Sequence, residues 1–154
     1  MGAALLRAQA PEFDIASAGT HSISGLPMSV RTRGALDAVG VADPDHRSRQ
    51  LSAEIAAGAD MIAIFEPMHI RWMREELHEH AHRTASLPRL AQALPAGPAT
   101  SLGERVDSLE LAQMDFEPWE EVVDPAGGDL ADFVEAAERI SALIDELRPR
   151  LLGA

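Results

Sequence analysis

Apolar and polar positions recur along this chain with two different periods, and the change from one to the other predicts its elements. Leu5, Leu6 and Gln9 fall at helical spacing within residues 2–10, a run of good helix formers that Pro11 stops. Residues 13–18 (Phe13-Asp14-Ile15-Ala16-Ser17-Ala18) alternate with period two, as a short strand ended by Gly19 does. Ser29 is placed to cap a helix running to about Val39, with Gly40 at its C-terminal end. A short helix to about Ala57 follows Ser52. Residues 60–65 give the clearest strand, apolar on both faces like a buried parallel strand. Pro67 opens a helix to about His82, and residues 83–87 read as a weaker strand. Pro95, Gly97, Pro98, Gly103 and Pro118 predict a long loop over residues 95–120, with one helical turn around residues 109–114. Asp129 then caps a long amphipathic helix with Phe133, Ala137, Ile140, Ile144 and Leu147 on one face.

Strands alternating with helices predict an α/β fold with a parallel sheet. A length of 154 residues fits a single domain, residues 1–154, with room for a proper core. No apolar run approaches the ~18 residues that span a bilayer. The first residues lack the basic region and apolar stretch of a signal peptide, so a cytoplasmic protein with no membrane partner is expected.

Charge and missing residue types narrow the chemistry. The net charge is −12, and all 13 cationic side chains are arginine. An acidic surface repels phosphate backbones, which argues against a nucleic-acid partner. The chain has no cysteine, which removes disulfides, zinc–thiolate sites and thiol catalysis from these residues.

Five segments in fixed order carry a family signal. They are Ser17-Ala18-Gly19-Thr20; Gly25-Leu26-Pro27 followed by Arg31; His46-Arg47-Ser48-Arg49-Gln50-Leu51; Ala59-Asp60-Met61-Ile62-Ala63-Ile64; and Asp124-Pro125-Ala126-Gly127. Each is weak alone. Together, with their spacing, they resemble the low-molecular-weight protein tyrosine phosphatases over nearly the whole chain. The resemblance implies a three-layer α/β/α fold with a four-stranded parallel sheet of order 2-1-3-4. Thioredoxin-coupled arsenate reductases share that fold but need cysteines, and Asp124-Pro125 points to the phosphatase branch.

The same resemblance implies that part of the pattern is missing. The family begins with a strand, then C-x-x-x-x-x-R-S-P, then a helix similar to Gly2-Ala3-Ala4-Leu5-Leu6-Arg7. About 15–20 residues would therefore precede Met1, counting a short strand and its loop. That loop holds the thiolate nucleophile and cradles the phosphate with its amides and arginine. Without it the chain is expected to be inactive, with no first strand in its sheet. The strands at residues 13–18 and 61–65 would then be left with unpaired edges, and the first helix without a cap. Two readings stay open: an incomplete sequence of an active phosphatase, or a non-catalytic binding or interaction module.

Residue by residue, the resemblance makes Asp124 the general acid and base. Without the resemblance Asp124 reads as the start of a turn before Pro125. His46 and Ser17 match the residues that brace the phosphate loop, although each also reads as an ordinary side chain after a turn or strand. The family's aromatic substrate walls fall here at Ala126 and near Ser22 or Ile23, none of them aromatic, which implies a more permissive pocket. No cofactor is implied. The partner implied is a phosphorylated protein or a small phosphate ester, and the oligomeric state is open. His78, His80 and His82 cluster at a helix end, where His78 and His82 lie one turn apart, but no third ligand from elsewhere is identifiable, so no metal is expected. Glu117, Glu120 and Glu121 read as a solvated acidic face.

Overall fold

Short polar side chains set most helix starts. The structure, a computed structural model, describes residues 1–97 and 100–153, so the loop reading at Pro98 lies outside the described residues. The helices are α1 (Gly2–Gln9), α2 (Val30–Ala38), α3 (Ala53–Ala57), α4 (Pro67–Glu76), α5 (Leu87–Ala93), α6 (Leu102–Asp107) and α7 (Leu130–Leu151). The strands are β1 (Ile62–Ile64) and β2 (Thr84–Ser86). Ser29, Ser52, Ser86 and Ser101 each accept a hydrogen bond from the amide three residues on, opening α2, α3, α5 and α6. Asp129 does the same for α7, accepting from the Ala131 amide at 2.7 Å and the Asp132 amide at 3.3 Å. Such caps satisfy amides that a helix leaves orphaned. At the other end of α2, Gly40 takes φ of +74°. The Gly40 and Val41 amides then reach the Asp37 and Leu36 carbonyls, closing the helix.

The chain folds as two compact units. The first holds Met1–Leu51 and Asp124–Ile144; the second holds Ser52–Val123 and Asp145–Ala154. In the first, α1 buries Ala4 and Leu5, α2 buries Ala35 and Leu36, and α7 buries Phe133, Ala137, Ile140 and Ile144. The Gln9 amide joins α1 to α7, donating to Ser141 Oγ at 2.9 Å.

The second unit contains the sheet. β1 and β2 pair in parallel, with Ile62 opposite Thr84, Ala63 opposite Ala85 and Ile64 opposite Ser86. The connection runs through α4 and a 3-10 helix (His78–Arg83), the helical crossover that parallel strands require. The fold is thus α/β with a small parallel sheet, and these two strands pair as the third and fourth of the expected order should.

Three expectations are corrected. Residues 13–18 form no strand; their exposure alternates as the sequence pattern demands, but no ladder pairs them. Their carbonyls are taken by side chains instead: Arg7 Nε donates to Ile15 O at 3.0 Å and Arg49 Nε to Ser17 O at 2.7 Å. The helix expected to reach His82 stops at Glu76, because Leu77 leaves helical dihedrals and the chain tightens into the 3-10 turn. The acidic run is a solvated face only in part: Glu117 and Glu121 are exposed, but Glu120 is 1% exposed. It accepts from Arg89 on both carboxylate oxygens, from Ser86 Oγ and from the Glu117 amide. Burial pushes its carboxyl pKa up, but these donors outweigh burial and hold it below the usual range.

Candidate functional site

Two of the sequence motifs fasten to each other within the first unit. Gly19 bridges Gln50 in parallel: its amide donates to Arg49 O at 3.0 Å, and its carbonyl accepts from the Leu51 amide at 2.9 Å. A side chain at Gly19 would place a Cβ 2.0 Å from Ser22 Oγ, so a substitution there forces Ser22 to move. The Gln50 amide then clips the loop from both sides, donating to Thr20 O and accepting from the Ser22 amide, each at 2.8 Å. Ser48 continues the seam. Its hydroxyl donates to Ile23 O at 2.6 Å and accepts from the Leu26 amide at 3.1 Å. Ser17 is half-buried, and its carbonyl takes the Arg49 bond. Ser17 and Ile23 are therefore brought together with the segment that His46 heads, through their own carbonyls, which accept from the side chains of Arg49 and Ser48.

His46 is half-buried beside Asp43, with Nδ1 3.9 Å from Oδ2. Arg7 takes the same carboxylate oxygen at 2.7 Å. Burial is the largest influence on His46 and lowers its pKa; the chain's amino group, Arg7 and Arg47 add to that, while Asp43 opposes it. The folded state thus favours neutral His46. Its contribution to stability is fully present above the unfolded value of about 6.5 and is lost as pH falls through that value toward the folded one. Urea midpoints measured from pH 7.5 down to 5 should drop in that window, and His46→Asn should flatten the drop. Parallel curves for both proteins would show that His46 is not responsible.

The fifth motif forms a separate turn. Asp124 is exposed, and its Oδ1 accepts from the Ala126 amide at 2.9 Å, the local bond typical of an aspartate that starts a turn. Gly127 takes φ of +93°, which favours glycine, and the Gly128 amide donates to Pro125 O at 2.9 Å. Arg31 fixes this turn to α2. Its guanidinium donates to Gly128 O and lies 5.2 Å from the centroid of the Phe133 ring. Close approach at Gly34, whose Cβ would lie 3.1 Å from Leu130 Cδ1, lets α2 and the start of α7 meet there. Asp124 keeps Oδ2 without a hydrogen-bond partner among the described residues. Among those residues no hydrogen bond joins Asp124 or Ala126 to Ser17, Ile23 or His46.

No family model matches the chain. A probable low-molecular-weight protein tyrosine phosphatase, EpsP of Ralstonia nicotianae, is 26% identical over 151 residues, covering 98% of this chain and 86% of EpsP. YwlE arginine phosphatase from Geobacillus stearothermophilus superposes with a TM-score of 0.76 at 24% identity, over 98% of this chain and 82% of its own. The low-molecular-weight protein tyrosine phosphatase from T. tengcongensis gives 0.74 at 22% identity, over 96% and 86%. The chain has the low-molecular-weight tyrosine phosphatase fold. The resemblance read from the five motifs is shown by these relatives.

Within this phosphatase fold the remaining candidates separate. His78, His80 and His82 lie on the 3-10 helix but do not converge. His80 Nε2 is 3.4 Å from Glu79, whereas His82 Nε2 accepts from Arg83 Nε at 2.9 Å and lies 3.7 Å from Asp107. Among the described residues no three such side chains group to hold a metal. Ile23 and Ala126, which the resemblance places at wall positions, are both exposed. The roles of Gln50, Ser48 and Arg31 were not read from the sequence. All three sit inside the quoted motifs, and that placement was the available signal.

Proposed function

We propose that this chain is a phosphatase-like module of the low-molecular-weight type. Its 154 residues supply the acid–base carboxylate but not the nucleophile. The observation that carries this reading is the Asp124 turn. One carboxylate oxygen is bound to the Ala126 amide, the other is open, and Arg31 ties the turn to α2. In a phosphatase of this kind a thiolate attacks phosphorus and the bond to the leaving oxygen breaks. The carboxylic acid gives its proton to that oxygen. The carboxylate then takes a proton from water, whose oxygen cleaves the phosphorus–sulfur bond. Asp124 can play both proton-transfer roles; no residue of this chain can play the thiolate's.

The substrate in this reading is a phosphorylated protein or a small phosphate ester. EpsP is named for tyrosine phosphate and YwlE for arginine phosphate. Ala126 and Ile23 put no aromatic ring at the wall positions, which favours a permissive site over one shaped for a phenyl group. The absence of cysteine supports a second reading, a non-catalytic phosphatase-like binding module.

The purified 154-residue protein should not hydrolyse p-nitrophenyl phosphate above the buffer rate. Turnover that persists through purification to homogeneity, and disappears in Asp124→Ala, would show that another group serves as nucleophile and overturn this assignment.

A further inference from the structure

Charge is distributed unevenly in this acidic protein. Residues 15–36 and 46–53 contain no aspartate or glutamate, although the whole chain has 25. These two stretches are the ones that the Gly19–Gln50 bridge and Ser48 join. They carry Arg33, Arg47 and Arg49, all exposed. Each of these guanidiniums spends a donor on a neutral backbone carbonyl: Arg33 on Met28, Arg47 on His46 and Arg49 on Ser17, all at 2.7 Å. Among the described residues none of the three forms an ion pair, while Arg7 and Arg89 do.

The same seam leaves large apolar side chains uncovered. Ile23 is 75% exposed, Leu26 50% and Val30 76%. Single exposed apolar residues are ordinary. Here, though, Ser48 is bonded to the backbone of both Ile23 and Leu26, and Arg47 and Arg49 flank Ser48 in sequence. Val30 begins α2, two residues after the Met28 carbonyl that Arg33 holds. Cations without ion pairs and exposed branched side chains therefore lie on the same joined segments.

We propose that the face formed by Ile23, Leu26 and Val30 with Arg33, Arg47 and Arg49 docks an acidic segment of a partner protein that alternates carboxylates with apolar side chains. Charge complementarity identifies the occupant. The guanidiniums are held by backbone bonds with donors left over, an arrangement suited to carboxylates. The three apolar side chains give such a segment area to bury. A nucleic acid or an anionic membrane offers the same charge but extends well beyond the patch. Either would bring its charge against the rest of a protein of net charge −12. A short peptide meets only the patch, and acidic groups farther from it than the screening length of about 8 Å act on it weakly. The proposal does not depend on phosphate chemistry, because the segment need carry no phosphate.

A fluorescein-labelled peptide of alternating glutamate and leucine, titrated with the 154-residue protein, tests this by anisotropy. Saturable binding is expected, weakening with added salt. The double variant Arg33→Glu/Arg47→Glu should weaken it about tenfold, since both charges lie at the contact rim. Ile23→Ser/Val30→Ser should weaken it about fivefold through lost apolar area. Neither pair includes Arg49, whose bond to Ser17 helps hold the seam, and circular dichroism confirms that the variants are folded. Leucine-to-serine and glutamate-to-glutamine versions of the peptide should each bind more weakly. No saturable binding to the unmodified protein, binding by both double variants as tight as by the unmodified protein, or tighter binding to phosphatidylserine vesicles or single-stranded DNA would each overturn the proposal.

Discussion

A strand and a C-x-x-x-x-x-R loop joined ahead of Met1 should make this chain turn over aryl phosphates, with Asp124 as the acid. The expectation rests on the Asp124 turn, which is already built: its backbone is closed by Gly127 and Gly128, and Arg31 anchors it to α2. In the extended protein Asp124→Asn should lower the rate by about 10²–10⁴-fold for an alkyl or unsubstituted phenyl leaving group. That leaving oxygen needs a proton as its bond to phosphorus breaks. A strongly acidic phenol leaves as its anion, so Asp124→Asn should have little effect with it. Equal losses with both substrates would give Asp124 a structural role, the one its bond to the Ala126 amide already suggests.

Glu120→Ala should cost the protein about 3–5 kcal/mol of folding stability, the range for removing one partner of a buried ion pair. Glu120 is 1% exposed and collects four donors' worth of contacts from Arg89, Ser86 and the Glu117 amide. Without its carboxylate, Arg89 retains the Asp115 carbonyl at 3.0 Å and the face of Trp119 at 5.7 Å, neither of which balances its charge. Arg89→Met/Glu120→Met should lose far less, because no uncompensated charge stays buried. The pair's carboxyl is held below its usual range, so its contribution is present above about pH 4.3 and fades as pH falls through the folded value. Urea unfolding of the two single variants and the double variant measures the coupling. Additive losses would mean that Arg89 and Glu120 act separately.

The sequence exposed features whose causes are local. Asp129 as the cap of α7, the buried stripe from Phe133 to Leu147, and Gly40 behind α2 were all readable, because caps and periodicity act within a few residues. α5 was missed for a related reason. Ser86 ends β2 and caps the next helix at once, so the strand pattern hid the start of the helix. The strand reading at residues 13–18 failed because alternation records which side chains are covered, not whether a neighbouring backbone is there to pair. Glu120 was misread because its partner Arg89 lies 31 residues away, beyond any local pattern. The candidate site divides in the same manner. Asp124 and Ser17 came from motifs, whereas the fastening of one motif to another by Gln50 and Ser48 needed coordinates.

Gln50 also determines how this region ages. Its side chain serves at once as donor to Thr20 and acceptor from Ser22, which only an intact amide can do in this orientation. Deamidation would turn the nitrogen into a second carboxylate oxygen facing the Thr20 carbonyl, replacing attraction with repulsion while the Ser22 contact survives. It would also put a negative charge between Arg49 and the apolar loop. One slow hydrolysis would therefore loosen the join between the two motifs and offset part of the positive charge that Arg49 brings to it.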